Sequence, residues 1–313
     1  MKIFYYDIAV GLPIRQCFTY KSSIRIKKGS RVIVPFGRKT LIGIVVKQIS
    51  KPSSFNKSGA IKEIISTGEE FTCFDKPIFN TILWAAEYYH HPIGEVFHSF
   101  VPTLLRKEGN KIIAPLEETT EYEINKSNKN FKLTSEQESN LLKLEKLKKF
   151  KPCLIYGVTG SGKTEIYLRL AEKLVEEGKS ILILVPEINL TPQLVSRFKD
   201  RFIGDIGVYH SRLTPNQRLK VWLRSKFGEI RIVIGTRSSV LMPLRNLGAI
   251  IVDEEHDQSY KQSEGFRFSG RDLAIKRAQL EDVPIFLGSA TPSLQTLKLV
   301  QEKKYKKFDL LRR

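Results

Sequence analysis

Cysteine is scarce in this chain: the 313 residues contain three, Cys17, Cys73 and Cys153. They lie far apart and form no Cys-x-x-Cys, so the sequence offers no zinc half-site and no disulfide framework. Each reads as a reduced, buried small hydrophobe. Long apolar runs are also lacking. None approaches the roughly 18 to 20 residues that cross a bilayer, and residues 1–10 lack the ordered regions of a secretory leader. The sequence therefore predicts a cytoplasmic protein with no membrane partner. There is no internal repeat and no long low-complexity tract, which excludes repeat arrays. Acidic residues are short as well, with 33 Asp plus Glu against 52 Lys plus Arg, a net charge of +19. Polyanions are the expected partners of such a surface.

What the chain does have is room for two domains and an ordinary core, with 41% hydrophobic and 10% aromatic residues. Its most specific feature is Gly157, Val158, Thr159, Gly160, Ser161, Gly162, Lys163 and Thr164, which fits Gly-x-x-x-x-Gly-Lys-[Ser/Thr] at every fixed position. The glycines let consecutive backbone N–H groups turn inward around an anion. Lys163 can reach β and γ phosphates, and Thr164 can offer its hydroxyl to Mg²⁺. The flanks agree: an apolar run precedes the motif, and Ile166, Leu170, Leu174 and Val175 follow at helical spacing until Gly178.

The first hundred residues alternate in the β manner, with a hairpin predicted around residues 32–46 and its turn at residues 35–38. A helix is predicted over residues 81–89, its aromatic residues Trp84, Tyr88 and Tyr89 assigned to the core. Residues 106–130 turn polar and read as a linker. Beyond it, apolar runs at 153–156, 181–185, 206–209, 230–234, 249–252 and 284–287 alternate with charged, helix-forming segments. Thr214 and Pro215 mark one helix start. The expected fold class is α/β: a parallel-sheet P-loop lobe over residues 131–313, preceded by a small β-rich, barrel-like domain with a helix over residues 1–105.

A second acidic motif follows the phosphate cradle. Ala249 to Val252 forms a buried strand that runs into Asp253, Glu254, Glu255 and His256. At the carboxyl end of that strand, Asp253 suits Mg²⁺ and Glu254 suits orienting and deprotonating the water that attacks a γ phosphate. Gly235, Thr236 and Arg237 follow another strand, where amides, hydroxyls and a guanidinium suit phosphodiester contacts. Gly288, Ser289, Ala290 and Thr291 end the last apolar run.

This combination resembles the first motor lobe of superfamily 2 helicases, and the run from Asp253 through Gln262, with residues 265–268 and 271–274, resembles the primosomal, replication-restart helicases of the PriA family. Residues 34–37 and 84–94 resemble the same family. The resemblance implies a RecA-like lobe, ATP and Mg²⁺ as cofactors, single-stranded and forked DNA and primosome proteins as partners, and 3′ to 5′ unwinding that restarts stalled forks. It implies an aromatic loop in which Tyr260, Phe266 and Phe268 stack on bases, with Lys261 and Arg267 near the backbone. It also implies that Phe18, Thr19, Gly37 and Lys62 form a pocket for a DNA 3′ end, with Thr19 standing where many relatives carry Asp. Residues 133–137 resemble an adenine-reading motif, with Gln137 contacting the base.

Two departures from the family pattern qualify the expectation. The stretch 106–130 is too short for the winged-helix domain of longer relatives. The second motor lobe, with its arginine finger and cysteine-rich zinc module, is not found in these 313 residues, so zinc is expected only in a C-terminal half. Without the arginine, a loss of about 10³ to 10⁵ in rate is expected, and the chain alone should be weak or inactive in hydrolysis. The rival expectations are a non-motor module binding branched DNA and ATP, from a truncated reading frame, and a P-loop kinase or small-molecule transferase.

Overall fold

A computed structural model describes residues 2–50, 61–69, 71–107, 123–124, 132–204 and 206–311. The chain divides into two units, Met1–Leu116 with Glu264–Arg267, and Glu117–Ser263 with Phe268–Arg313. Most of the expected linker falls outside the described residues.

In the first unit, strands β1 (Phe4–Val10), β2 (Phe18–Ser22), β3 (Arg31–Phe36), β4 (Lys39–Ile49) and β5 (Ser66–Thr67) form an antiparallel sheet in the order β2-β1-β4-β3-β5. Period-two alternation turns Tyr6, Ile8, Val10, Tyr20, Val32 and Val34 into one core and leaves the intervening residues on the other face. The expected hairpin is β3–β4, and Gly37 at its turn has φ +59°, a conformation that costs glycine little.

Helix α1 (Lys76–Tyr88) starts earlier than its apolar pattern predicts, because the Asp75 carboxylate accepts from Ile78 N and Pro77 occupies the first turn. Its buried face is Ile78, Phe79, Thr81, Ile82 and Ala85. Trp84 and Tyr88 fall beside that face, not on it: Trp84 is half-buried, Tyr88 is 59% exposed, and the two rings stack at 4.6 Å. The core assignment of Tyr88 is thereby corrected. Helix α2 (Ile93–Phe100) lies so close to β1 that a Cβ on Gly94 would stand 1.6 Å from the Val10 carbonyl oxygen.

The second unit contains β6 (Glu123–Ile124), α3 (Ser135–Glu145), β7 (Pro152–Gly157), α4 (Lys163–Glu176), β8 (Ser180–Leu184), α5 (Pro192–Arg201), β9 (Phe202–Ile203), β10 (Ile206–Tyr209), α6 (Pro215–Phe227), β11 (Ile232–Gly235), β12 (Leu247–Val252), α7 (Gly270–Glu281), β13 (Ile285–Ser289), α8 (Leu294–Gln301) and β14 (Lys306–Leu310). Seven strands make one parallel sheet in the order β10-β11-β8-β12-β13-β7-β14, and β6 pairs with β9. Strands covered on both faces must be apolar throughout, and β8, β11 and β12 are buried at every residue. The seventh strand, β14, escapes the sequence reading because Lys306, Lys307 and Asp309 interrupt its pattern, leaving only Phe308 and Leu310 buried. Thr214 caps α6 in a full capping box with Gln217, as its sequence predicts. Parallel pairing puts the carboxyl ends of β7, β8, β11, β12 and β13 at one edge, where ligands of open α/β sheets bind.

Candidate functional site

At that edge, β7 ends in a loop whose Gly160 and Gly162 have φ of +80° and +83°. Gly162 is also the N-cap of α4, and a Cβ there would meet the Gln137 side-chain nitrogen at 2.4 Å. Any larger residue would therefore be strained in backbone and blocked in space. Lys163 is 9% exposed and donates from Nζ to the Gly157 carbonyl at 2.8 Å, with Glu254 Oε1 3.7 Å away. The ammonium is thus held across the mouth of the loop. Ser161 Oγ is buried and has no hydrogen-bond partner, which fits a cradle whose remaining partner is an anion's oxygen.

Asp253 follows β12 directly. Its backbone N–H donates to Leu184 O, and its Oδ1 accepts 2.8 Å from the Tyr167 hydroxyl. Burial raises the Asp253 pKa, while the Tyr167 hydrogen bond and the charge of Lys163 work against that rise. A carboxylate whose charge is disfavoured by burial regains it beside a cation. With Thr164 half-buried on the same cavity, two protein oxygens face a space where phosphate and water would supply the rest, as Mg²⁺ commonly requires. Glu254 has φ +43°, an uncommon conformation for a non-glycine residue, and its carboxylate lies between Lys163 and His256. One cavity of about 870 Å³ is lined by Gln137, residues 158–164, Asp253 and Glu254. Every residue of the predicted cradle except Gly157 lines it, together with both carboxylates.

Gln137 is engaged twice. Its Oε1 accepts from Thr134 N in the capping box of α3, and its Nε2 donates to Ser161 O at 2.9 Å. It therefore ties α3 to the phosphate loop while keeping one N–H and one lone pair for a base. His256 bridges to the strand end of β13, with Nδ1 2.8 Å from Ser289 Oγ and Nε2 3.2 Å from Thr291 Oγ1.

The side chains expected to face DNA are mostly enclosed in this arrangement. Tyr260 is 2% exposed, and its hydroxyl donates to the Leu184 and Asp253 carbonyls. Phe268 is 9% exposed, and Phe266, 5% exposed, packs within the first unit against Tyr89, His91 and Phe100. Rings so enclosed present no face to a base. Arg237 does not point away from the protein either: its Nη1 donates to Ser259 O and Lys261 O at 2.8 and 2.7 Å, pinning the segment after the acidic motif. Lys261 and Arg267 are exposed.

In the first unit, the Phe18 ring meets Phe36 edge-on at 5.1 Å, beside the Gly37 turn, and the Lys62 carbonyl accepts from Lys21 N on β2. Thr19 donates to Asp7 Oδ1 at 2.9 Å. Asp7 and Tyr167 were not foreseen from sequence, and neither belongs to a recognisable spacing; Gly288 and the buried Glu255 lie inside motifs that the sequence does show, but their packing roles were not legible there. The three cysteines are free, and the described residues hold no cluster of three metal-ligating side chains. Among the described residues no helix is long and apolar enough to cross a membrane.

A 3′ DNA-binding domain (3′BD) profile matches residues 7–102, and a DEAD/DEAH box helicase profile matches residues 135–300. The replication restart protein PriA of Haemophilus influenzae is 35% identical over 98% of this chain and 52% of its own length. That of Helicobacter pylori (strain 26695) is 35% identical over 96% of the chain and 45% of its own length. The chain thus spans about half the length of these curated relatives. Among solved structures, RecG bound to a three-way DNA junction superposes with a TM-score of 0.45 at 22% identity, covering 58% of this chain and 24% of that one. The chain belongs to the DEAD/DEAH box helicase family and joins that lobe to a domain of the 3′ DNA-binding type.

Proposed function

We propose that this chain is the DNA-end-binding and first motor portion of an ATP-dependent, 3′ to 5′ DNA helicase of replication restart, acting in the cytoplasm on single-stranded and forked DNA with primosome proteins. The observation that carries the reading is the single cavity shared by the phosphate loop and the two carboxylates. In it Lys163 and the loop amides from Val158 to Thr164 would bind the phosphates, and Gln137 the adenine. Thr164 and Asp253 would hold Mg²⁺, which supplies positive charge to the phosphate oxygens when bound. Glu254, the nearest carboxylate to Lys163, would orient the attacking water and accept its proton. Residues 1–105 would capture a DNA 3′ end through Phe18, Thr19, Gly37 and Lys62, and exposed Lys261 and Arg267 would meet phosphodiesters. With Tyr260, Phe266 and Phe268 buried, their part is to brace the loop that carries those cations.

The chain alone is proposed to bind nucleotide better than it hydrolyses it, because the arginine finger and zinc module belong to the second half of such enzymes. The second reading is a non-motor module that binds DNA ends and ATP. In a protein joining this chain to a second motor lobe, Glu254→Gln should abolish DNA-stimulated hydrolysis and spare nucleotide binding. Unaltered turnover refutes the assigned role, and a joined protein with intact binding but no turnover at all leaves the module reading.

A further inference from the structure

Asp7 occupies an unusual place on β1. In the register of the sheet it lies opposite Thr19 on β2 and opposite Lys47 on β4, and the β1–β4 pairing is broken by a bulge between Asp7 and Ile8. Tyr6 and Ile8 are buried in the core, so Asp7 projects to the other face, with Thr19 and Lys21. Bulges of this kind re-aim a side chain beside binding sites. The Thr19 hydroxyl donates to Asp7 Oδ1 at 2.9 Å, and Lys47 Nζ stands 3.4 Å from Oδ2. The Asp7 side chain is 19% exposed against 63% for Lys47, so the carboxylate is sheltered and the cation is solvated. Burial, reinforced by Asp7, pushes the Cys17 thiol up to about 11, which keeps that wall of the site uncharged.

The donor and acceptor balance decides what such a site takes. Thr19 has spent its only proton on Asp7, so the pair offers acceptor lone pairs alone. A neutral hydroxyl can donate into it. A phosphate dianion brings negative charge against a sheltered carboxylate and is repelled. A DNA strand ends in one of these two groups. We propose that Asp7, oriented by Thr19, is the residue that accepts the terminal 3′ hydroxyl and rejects a 3′ phosphate. Thr19 is then the positioning residue, and the carboxylate expected at position 19 is supplied from the neighbouring strand. This rests on the reading of the first unit as a 3′-end-binding domain.

The test is fluorescence anisotropy of the whole 313-residue chain at fixed salt, with one labelled single strand ending in a 3′ hydroxyl, a 3′ hydrogen or a 3′ phosphate. The expected order of affinity for the unmodified chain is hydroxyl, hydrogen, phosphate, with about tenfold or more between first and last. In Asp7→Asn the repelling charge is gone and the side-chain volume kept, so that ratio should fall to about threefold or less. Lys47→Ala should weaken all three ends alike, since a solvated lysine meets phosphodiesters without reading the terminus. An Asp7→Asn ratio equal to that of the unmodified chain overturns the inference while leaving end binding standing. Equal affinities for all three ends in the unmodified chain overturn the end-binding reading itself. Should Asp7→Asn fail to fold, Thr19→Val decides: the ratio must drop, and an unchanged ratio sinks the proposal.

Discussion

The Tyr167 hydroxyl donates a 2.8 Å hydrogen bond to Asp253 Oδ1, tying the helix that carries Lys163 to the strand end that carries the first carboxylate. Burial, with Asp253 close by, pushes the tyrosine pKa well above its usual 10, so Tyr167 remains a donor at any working pH. It opposes the rise that burial imposes on Asp253.

Tyr167→Phe should leave the fold intact and weaken Mg²⁺-dependent nucleotide binding by about tenfold, while binding in EDTA stays the same. The sign of the pH effect follows. Losing the hydrogen bond raises the Asp253 pKa further, so on acidification the variant should lose Mg²⁺-dependent binding at a higher pH than the unmodified chain. Titration of a fluorescent ATP analogue at several pH values measures both effects, and superimposable curves would remove Tyr167 from the site.

Gly288 on β13 makes room for this contact, since a Cβ there would stand 1.8 Å from the Tyr167 hydroxyl oxygen and 3.1 Å from Asp253 Oδ1. Gly288→Ala should cost about 1 to 3 kcal/mol in urea denaturation, with Mg²⁺-nucleotide affinity falling as well. Combined with Tyr167→Phe, which removes the clashing oxygen, the two losses of stability should sum to more than the double variant shows. Strict additivity would mean that the two residues do not share this space.

The sequence carried the phosphate loop and the acidic strand end because each is local: the glycine φ values and the apolar strand before Asp253 are encoded within a few adjacent residues. Six of the parallel strands were readable for the same reason: five are almost wholly buried, which demands unbroken apolar runs, and the edge strand β10 keeps an apolar run although Ile206 and Val208 are only half-buried. Partners brought together by the fold were not readable. Tyr167 and Asp253 are 86 positions apart, and Thr19 meets Asp7 only through strand pairing. The aromatic residues after the acidic motif have the composition of a stacking loop, yet Tyr260 and Phe268 are buried, and the Tyr260 hydroxyl reaches two backbone carbonyls. Composition names the ring and says nothing of what covers it.

Glu255, next to the predicted water-orienting carboxylate, faces inward. Its side chain is fully buried and accepts from Arg271 Nη1 at 2.8 Å and from Ser293 N at 2.7 Å, which anchors the acidic motif to the start of α8. Arg271→Met leaves that buried charge without its cation and should cost about 3 kcal/mol or more. Adding Glu255→Gln removes the charge and should recover part of the loss. Urea midpoints of the two variants check this, and a double variant less stable than Arg271→Met would show that the pair is not the source of the cost.

In the first unit, His98 gives a pH dependence of defined sign. Its ring lies over Gly11, where a Cβ would come within 2.3 Å of Nδ1, and its Nε2 is 3.2 Å from the Ile42 carbonyl oxygen. Since a carbonyl only accepts, Nε2 carries the proton in the neutral ring. Burial lowers the His98 pKa below its usual 6.5, with the Ile42 hydrogen bond partly opposing and Arg106 assisting. The unfolded chain therefore takes up its proton first as pH falls, and the stabilisation present above pH about 6.5 is lost as pH drops through the lower folded value. Amide exchange in β1 and β4 should quicken, beyond its intrinsic pH dependence, between about pH 7 and 5. His98→Gln keeps a side-chain N–H for Ile42 and removes the titration, so its protection should change less over the same range. An equal loss of protection in the variant would assign the acid sensitivity to another group.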